Sequence, residues 1–252
     1  MKIAIKIGTS TLTHSTGVLN IRRVEEICKV ISDIKNAGND VVIVSSGAIA
    51  MGVGKLGLSS RPVDIPGKQA CASVGQCELM YFYDRLFSEY HHTVAQILMT
   101  GSDVENEERL ANFVNTLTRL LEWNALPIIN ENDTISTDEI VIGDNDTLAA
   151  IVACSMKADK LILLSDIDGL YTADPRTDPD AKLVHTVKDV ELVRGFAGKK
   201  GSAFGTGGME TKLNAAKICL DHGVEMILAN GNRPENLYDI LDGKEVGTRF
   251  GE

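Results

Sequence analysis

Two lysines beside glycine-rich turns are the first residues in this sequence that could do chemistry. Lys6 precedes the turn Gly8-Thr9-Ser10, and Lys212 ends the segment GTGGMETK at the start of a predicted helix. Glycine lets backbone N–H groups approach a phosphate closely, and a lysine in the first turn of a helix opposes the helix dipole unless an anion lies nearby. The pattern predicts a phosphate site, with a solvated lysine as the alternative at each position.

A second group of polar residues adds hydrogen-bond partners and negative charge. Ser46 follows an apolar strand and precedes a helix, so it suits either an anion site or a simple N-cap. Asn145 and Asp146 begin another predicted helix, where capping is again the plainer role. In the functional interpretation, Asp146 holds the lysines and Asn145 contacts a polar substrate, while Asp133 offers a carboxylate to an ammonium group.

Two lysines, glycine-rich turns and nearby carboxylates match what phosphoryl transfer requires. The transferred group spreads negative charge over its oxygens, so catalysis consists mostly of positioning and electrostatic stabilisation. An acceptor that is a carboxylate is already ionised at pH 7 and needs no general base.

Strand-like and helical segments alternate along the chain, and this alternation must position those residues. Strands are predicted at 2–7, 41–44, 94–99, 127–130, 161–164 and 226–229. Helices are predicted at 20–37, 48–51, 68–88, 106–123, 145–157 and 210–222. The pattern favours one α/β domain with a mostly parallel sheet, whose ligands bind at the carboxyl ends of the strands.

Composition excludes several other classes. The chain has 252 residues, 25 Lys+Arg against 35 Asp+Glu and a formal net charge of −10, which argues against a nucleic-acid partner. No membrane span, secretory signal or metal-ligand spacing is recognised, and five cysteines without C-x-x-C predict reduced, mostly core thiols of a cytoplasmic protein. The segment Gly52–Gly57 matches G-x-G-x-x-G but lies seven residues beyond its strand, so no dinucleotide site is predicted there.

Six segments in this order resemble the amino acid kinase family. They are Lys6–Ser10, Val44–Ala50, Ile129–Asp133, Gly143–Asp146, Gly169–Pro175 and Gly205–Lys212. The resemblance runs from Lys2 to about Phe250.

The resemblance implies a three-layer αβα sandwich and an ATP-dependent kinase that converts L-glutamate into L-glutamyl 5-phosphate, the first step of proline biosynthesis. It implies a single domain over 1–252, with an amino-acid-binding lobe at about 1–150 and a nucleotide-binding lobe at about 151–252. ATP is the implied co-substrate, with Mg²⁺ held by phosphates and water and no protein ligand assigned.

The same resemblance implies three sets of site residues. The catalytic set is Lys6, Lys212 and Asp146. The glutamate set is Ser46, Gly47, Asn130, Asp133 and Asn145. The ATP set is Lys6, Gly8, Ser165, Asp166, Thr206, Gly207, Gly208, Met209, Glu210, Thr211 and Lys212.

The resemblance also implies a homo-oligomer and feedback inhibition by proline. Many relatives continue into an RNA-binding-type PUA domain, which this chain is expected to lack. One alternative is a kinase of the same fold that acts on N-acetylglutamate, aspartate, carbamate or a nucleoside monophosphate. Another is a non-catalytic amino-acid-binding regulatory protein. Asp133 with Asn145 favours a free α-ammonium over an acetylated nitrogen, and the intact lysines favour catalysis.

Overall fold

A computed structural model describes residues 1–14, 16, 18–135, 145–196 and 208–251. The strands are β1 (Lys2–Ile7), β2 (Asp40–Ser45), β3 (Val94–Met99), β4 (Leu126–Glu131), β5 (Lys160–Ser165), β6 (Leu170–Tyr171), β7 (Leu183–Val184), β8 (Thr186–Val187), β9 (Glu225–Asn230) and β10 (Thr248–Phe250). The α-helices are α1 (Thr9–Leu12), α2 (Ile21–Asn36), α3 (Ala48–Lys55), α4 (Ile65–Ser88), α5 (Gly101–Glu105), α6 (Glu107–Glu122), α7 (Asn145–Ser155), α8 (Met209–Asp221) and α9 (Asn236–Leu241). A 3₁₀ helix spans Glu191–Phe196.

Eight strands form one sheet in the order β3-β4-β2-β1-β5-β9-β10-β8. The strands from β3 through β9 in this order are all parallel to their neighbours, whereas β10 runs antiparallel to β9. A small antiparallel pair, β6 and β7, lies outside this sheet. The predicted mostly parallel sheet is confirmed, and so is each of the six predicted strands.

The alternation of side chains along β1 builds the layers on both faces of the sheet. Ile3, Ile5 and Ile7 pack in one buried cluster with α2, α4 and α9, and Ala4 packs in a second cluster with α6, α7 and α8. The predicted three-layer sandwich is therefore confirmed. Because side chains in a strand alternate between faces, Lys6 projects to the same side as Ala4, toward α7 and α8.

Caps define the starts of the long helices. The side chains of Asn20, Asp64 and Asn106 each accept a hydrogen bond from a backbone N–H in the first turn of α2, α4 and α6, respectively. Such caps satisfy donors that have no partner within the helix. The predicted helices are confirmed to within a few residues at either end.

Two glycines let α3 and α4 pack with their backbones in contact. A Cβ on Gly52 would lie 1.8 Å from the carbonyl oxygen of Cys71, and one on Gly75 would lie 1.7 Å from that of Ala48. Gly52 belongs to the G-x-G-x-x-G segment, which is largely helical here and does not form a strand-to-helix turn. These glycines serve helix packing, and they fix α4 against the start of α3.

Neither disulfides nor membrane helices contribute to the described fold. The five cysteines are free, and Cys28, Cys71 and Cys219 are buried, as expected of core thiols. No helix in the described part of the chain is long and apolar enough to cross a bilayer.

Substitution of Gly75 by alanine tests the α3–α4 contact. The added methyl group would overlap backbone atoms, which cannot move aside as a side chain can, so the free energy of unfolding should fall by about 1–3 kcal/mol or more. Urea denaturation measures this change. Gly195→Ala is the matched control, because a Cβ there meets nothing within 4 Å. Equal stability of the two variants would contradict the packing argument.

Candidate active site

One buried carboxylate bridges two lysines at the carboxyl-terminal edge of the sheet. Asp146 lies in the first turn of α7, with Oδ1 2.5 Å from Nζ of Lys6 on β1. Its Oδ2 lies 3.0 Å from Nζ of Lys212 in the first turn of α8. The structure thus brings together the three side chains predicted to be catalytic, although they are far apart in the sequence.

The bridge is nearly closed to solvent. The Asp146 side chain is 1% exposed, and those of Lys6 and Lys212 are 11% and 10% exposed. Burial alone would raise the pKa of Asp146, but the two ammonium groups outweigh it and hold that pKa well below its usual range. The three charged groups together carry one positive charge, and the N-termini of two helices add to the local positive potential. The arrangement suits an anionic ligand.

Several residues of the predicted nucleotide segment surround this bridge. Thr211 Oγ1 lies 3.1 Å from Asp146 Oδ2 and 2.8 Å from the carbonyl oxygen of Gly208. A Cβ on Gly8 would lie 3.6 Å from Lys6 Nζ, so the turn after β1 runs directly beside that ammonium.

The other described residues that are predicted to bind nucleotide lie at the core, at the surface or at the end of β5. Met209 packs against the hydrophobic core and Glu210 is exposed. Ser165 is the last residue of β5, whose neighbour is β1, and Asp166 follows it. Ser165 Oγ donates to Asp166 Oδ1 at 3.3 Å. Thr206 and Gly207, together with Gly205, Gly143 and Asp144 of the two motifs, lie outside the described residues.

A network of side-chain amides joins three of the predicted glutamate residues. Asn145 Nδ2 lies within donating distance of Ser46 Oγ at 2.8 Å, the Ser45 carbonyl at 3.1 Å and Asn130 Oδ1 at 3.1 Å. Asn130 Nδ2 in turn donates to Oε1 of Gln76 on α4 at 2.8 Å. The network links α7, β2, β4 and α4 at one edge of the sheet.

The turn at Gly47 connects β2 to α3 in this part of the site. Gly47 has φ of 98° and ψ of 0°, a left-handed conformation that favours glycine, and it caps the N-terminus of α3. The neighbouring Ser46 N–H donates to the carbonyl of Ile7 at 3.0 Å. The start of α3 is therefore tied to the end of β1, beside Lys6.

Asp133 occupies the turn that follows β4. Burial, with a smaller effect from the nearby carboxylate of Glu131, raises the pKa of Asp133 to about 6, and the guanidinium of Arg61 opposes this rise. Nε of Arg61 is buried and has no hydrogen-bond partner among residues 1–14, 16, 18–135, 145–196 and 208–251. The carboxylate of Asp133 and the guanidinium of Arg61 thus interact electrostatically at the end of β4, the strand that carries Asn130 of the amide network.

Sequence reasoning missed Gln76 and Arg61. Arg61 lies in the loop between α3 and α4. Gln76 lies within α4, where the surrounding sequence shows only the periodicity of an ordinary helix. The only available signal was the adjacent Gly75, whose packing role emerges only once α3 is known to contact α4.

The described part of the site offers no dedicated metal cage. The described residues contain no group of three or more His, Cys, Asp or Glu side chains suited to a metal ion. Both oxygens of Asp146 already face ammonium groups. That Mg²⁺ takes its ligands mainly from phosphates and water, as the resemblance implies, stays a prediction.

Comparison with known proteins identifies the family. The sequence model for the amino acid kinase family matches residues 1–230. A glutamate 5-kinase from Clostridium perfringens is 52% identical and one from Symbiobacterium thermophilum is 49% identical, each over 99% of this chain, covering 94% and 95% of the relatives. The crystal structure of UMP kinase from Bacillus anthracis covers 99% of this chain and 95% of its own, with a TM-score of 0.68 at 18% identity, which shows the fold alone. The resemblance noted in the motifs is confirmed, and the chain belongs to the amino acid kinase family.

Proposed function

We propose that this chain phosphorylates the γ-carboxylate of L-glutamate with ATP, giving L-glutamyl 5-phosphate and ADP at the start of proline biosynthesis. The observation that carries the proposal is the buried Lys6–Asp146–Lys212 bridge beside a network of amides and Asp133. The positively charged bridge suits a phosphoryl group, and the amide network with Asp133 suits an amino acid. Relatives of about half-identical sequence that are named glutamate 5-kinase support the choice of substrate.

The reaction needs one bond to form and one to break. An oxygen of the γ-carboxylate attacks the γ-phosphorus of ATP, and the bond between that phosphorus and the bridging oxygen of ADP breaks. The attacking carboxylate is ionised at neutral pH, so no proton has to be removed. In the proposal, Lys6 stabilises the transferred phosphoryl group and Lys212 stabilises the charge on the leaving side.

Asp146 acts on the reaction through the two lysines. Its ionised carboxylate fixes both ammonium groups before the substrate arrives, so less reorganisation is needed in the transition state. Thr211 extends the same set of contacts into α8. Asp146 is therefore a positioning residue in this mechanism, with no proton to accept.

ATP is proposed to bind along the turns after β1 and β5 and at the start of α8. Gly8, Ser165, Asp166 and the segment 206–212 supply the backbone and side-chain donors and acceptors. Mg²⁺, when bound with ATP, neutralises charge on the phosphates. The chain's own lysines then act on the charge that develops during transfer.

The amino acid is proposed to bind between α3, β4 and α7. Asn145 Oδ1 is buried and accepts no hydrogen bond from any described residue, so it can accept from an ammonium group. Asp133 supplies the matching negative charge, while Ser46, Gly47 and Asn130 complete the surroundings. N-acetylglutamate has no ammonium group at this position, which favours free glutamate.

Three further features belong to the proposal. Residues 1–150 bind the amino acid and 151–252 bind the nucleotide, within one domain. Proline inhibits the enzyme, because it shares the α-carboxylate and a cationic nitrogen with glutamate. The active form is a homo-oligomer in the cytoplasm.

A coupled ADP-release assay tests the function directly. The protein is incubated with ATP, Mg²⁺ and one acceptor at a time, and hydroxylamine traps any acyl phosphate as a hydroxamate. We expect both ADP and hydroxamate with L-glutamate. Turnover of aspartate, N-acetylglutamate, carbamate or a nucleoside monophosphate without turnover of glutamate would reject the assignment.

Lys212→Ala should lower kcat much more than it weakens glutamate binding. Loss of one preorganised charge contact typically lowers kcat by about 100- to 1,000-fold. Steady-state kinetics with both substrates varied provides the measurement. Lys217→Ala is the matched control, because Lys217 lies on the same helix and is half exposed. A kcat for Lys212→Ala close to that of the control would remove Lys212 from the mechanism.

The KM for glutamate should depend on the ionisation of Asp133. An ammonium group binds the carboxylate but not the carboxylic acid, so KM should rise as pH falls below the Asp133 pKa of about 6 and level off above it. Asp133→Asn should raise KM at neutral pH and flatten the profile. Initial rates between about pH 5 and pH 8 test this. A profile in Asp133→Asn that still bends near the same pH would assign the titration to another group.

A further inference from the structure

Gln76 has a buried hydrogen-bonding group that none of the described residues satisfies. The residue lies on α4 and is 8% exposed. Its Oε1 accepts from Asn130 Nδ2 at 2.8 Å, whereas its Nε2 is buried and has no hydrogen-bond partner in the part of the chain that the structure describes. Buried polar groups in proteins are nearly always paired, so an unpaired donor at a candidate site indicates a partner that binds there.

Backbone contacts fix which end of the Gln76 amide is the free one. The N–H of Glu131 donates to Asn130 Oδ1 at 2.8 Å, so the other atom of the Asn130 amide must be its nitrogen. That nitrogen can donate only to an oxygen of Gln76. The unpaired group on Gln76 is therefore an N–H₂ donor.

The opposite end of the amide network is an acceptor. The Ser45 carbonyl accepts from Asn145 Nδ2, which leaves Asn145 Oδ1 as a buried oxygen with no partner within the described residues. The amides thus run in one direction from Asn145 through Asn130 to Gln76. A free donor at one end and a free acceptor at the other match the two groups on the α-carbon of an amino acid, a carboxylate and an ammonium.

The position in the sheet assigns these groups to the α-end of the substrate. Lys6 and Lys212, which are proposed to act on the phosphoryl group that the γ-carboxylate receives and on the leaving side, lie on β1 and on α8, a helix that packs against the same sheet. Asn130 lies on β4, which is separated from β1 by β2, so the two strands are about 10 Å apart. A donor cannot serve an ammonium group, so the carboxylate is the partner that fits Gln76.

We propose that Gln76 Nε2 donates a hydrogen bond to the α-carboxylate of glutamate, with Asn130 holding the Gln76 amide in that orientation. This inference rests on the proposed function. It also gives the α3–α4 contact a role in the site, because Gly75 adjoins Gln76 and lets α4 approach the start of α3.

Gln76→Glu separates substrate binding from a purely structural role. Glutamate at this position keeps an oxygen for Asn130 Nδ2 but replaces the donor with a second oxygen that faces the substrate carboxylate. We expect the glutamate KM to rise by at least about 100-fold, while kcat and the KM for ATP change by less than about threefold. The buried carboxylate is costly to desolvate, so the melting temperature should fall, and the change in glutamate KM at nearly constant kcat is the readout of binding.

Gln76→Met provides a second, uncharged variant of similar length. It removes both hydrogen bonds, so the melting temperature should fall and the glutamate KM should rise by about 10- to 150-fold. If the charged variant fails to fold, this variant decides the question.

Two competitive inhibitors give a readout that a structural role would not move. Glutarate keeps both carboxylates and lacks the ammonium, whereas 4-aminobutanoate keeps the ammonium and lacks the α-carboxylate. The Gln76 variants should weaken inhibition by glutarate and leave the inhibition constant of 4-aminobutanoate unchanged.

Equal weakening of both inhibitors, or a wild-type glutamate KM in Gln76→Glu, would overturn the role of Gln76 while leaving the proposed function intact. A wild-type protein that releases no ADP with glutamate would instead overturn the proposed function, and this inference with it.

Discussion

The buried carboxylate of Asp146 between two ammonium groups is the contact on which the candidate site depends. Burying three charged side chains is costly, and removing one partner of a buried ion pair destabilises a protein by about 3–5 kcal/mol. The bridge therefore constrains β1, α7 and α8 together, since each contributes one member. The alternation along β1 sends Lys6 to the layer of α7 and α8, and both helices must begin at this edge of the sheet.

The mostly parallel sheet and the bridge were largely predictable from the sequence. Continuous apolar runs such as 41–44 indicate strands covered on both faces, and lysines beside glycine-rich turns indicate an anion site. The short strands β6, β7, β8 and β10 were not predictable, because two or three residues carry too little pattern. The antiparallel direction of β10 depends on tertiary pairing with β9, which no local periodicity encodes.

The two residues that sequence reasoning missed were missed for the same reason. Gln76 and Arg61 are of interest because Nε2 of the first and Nε of the second are buried and no described neighbour pairs with them. A helical glutamine and a loop arginine carry no signal of that kind in sequence. By contrast, Ser46, Asn130 and Asn145 stand where strands end or helices begin, which is where ligands of parallel α/β sheets bind. Residues at such boundaries can be predicted, whereas those on the flank of a packed helix cannot.

The residues proposed to transfer the phosphoryl group and those proposed to select the substrate lie in different parts of the fold. UMP kinase shares the fold at 18% identity, so the sheet and its helical layers do not by themselves define the acceptor. The net charge of −10 also does not indicate the ligand, because the electrostatic potential at the site depends mainly on the charged groups nearest to it. Two lysines and two helix N-termini meet there, and the acidic Asp146 serves to hold the lysines. The acceptor is therefore determined by α3, α4 and β4, where an amide network ends in one donor and one acceptor that have no partner among the described residues. A single ligand that offers both kinds of group satisfies both ends, and an α-amino acid is such a ligand.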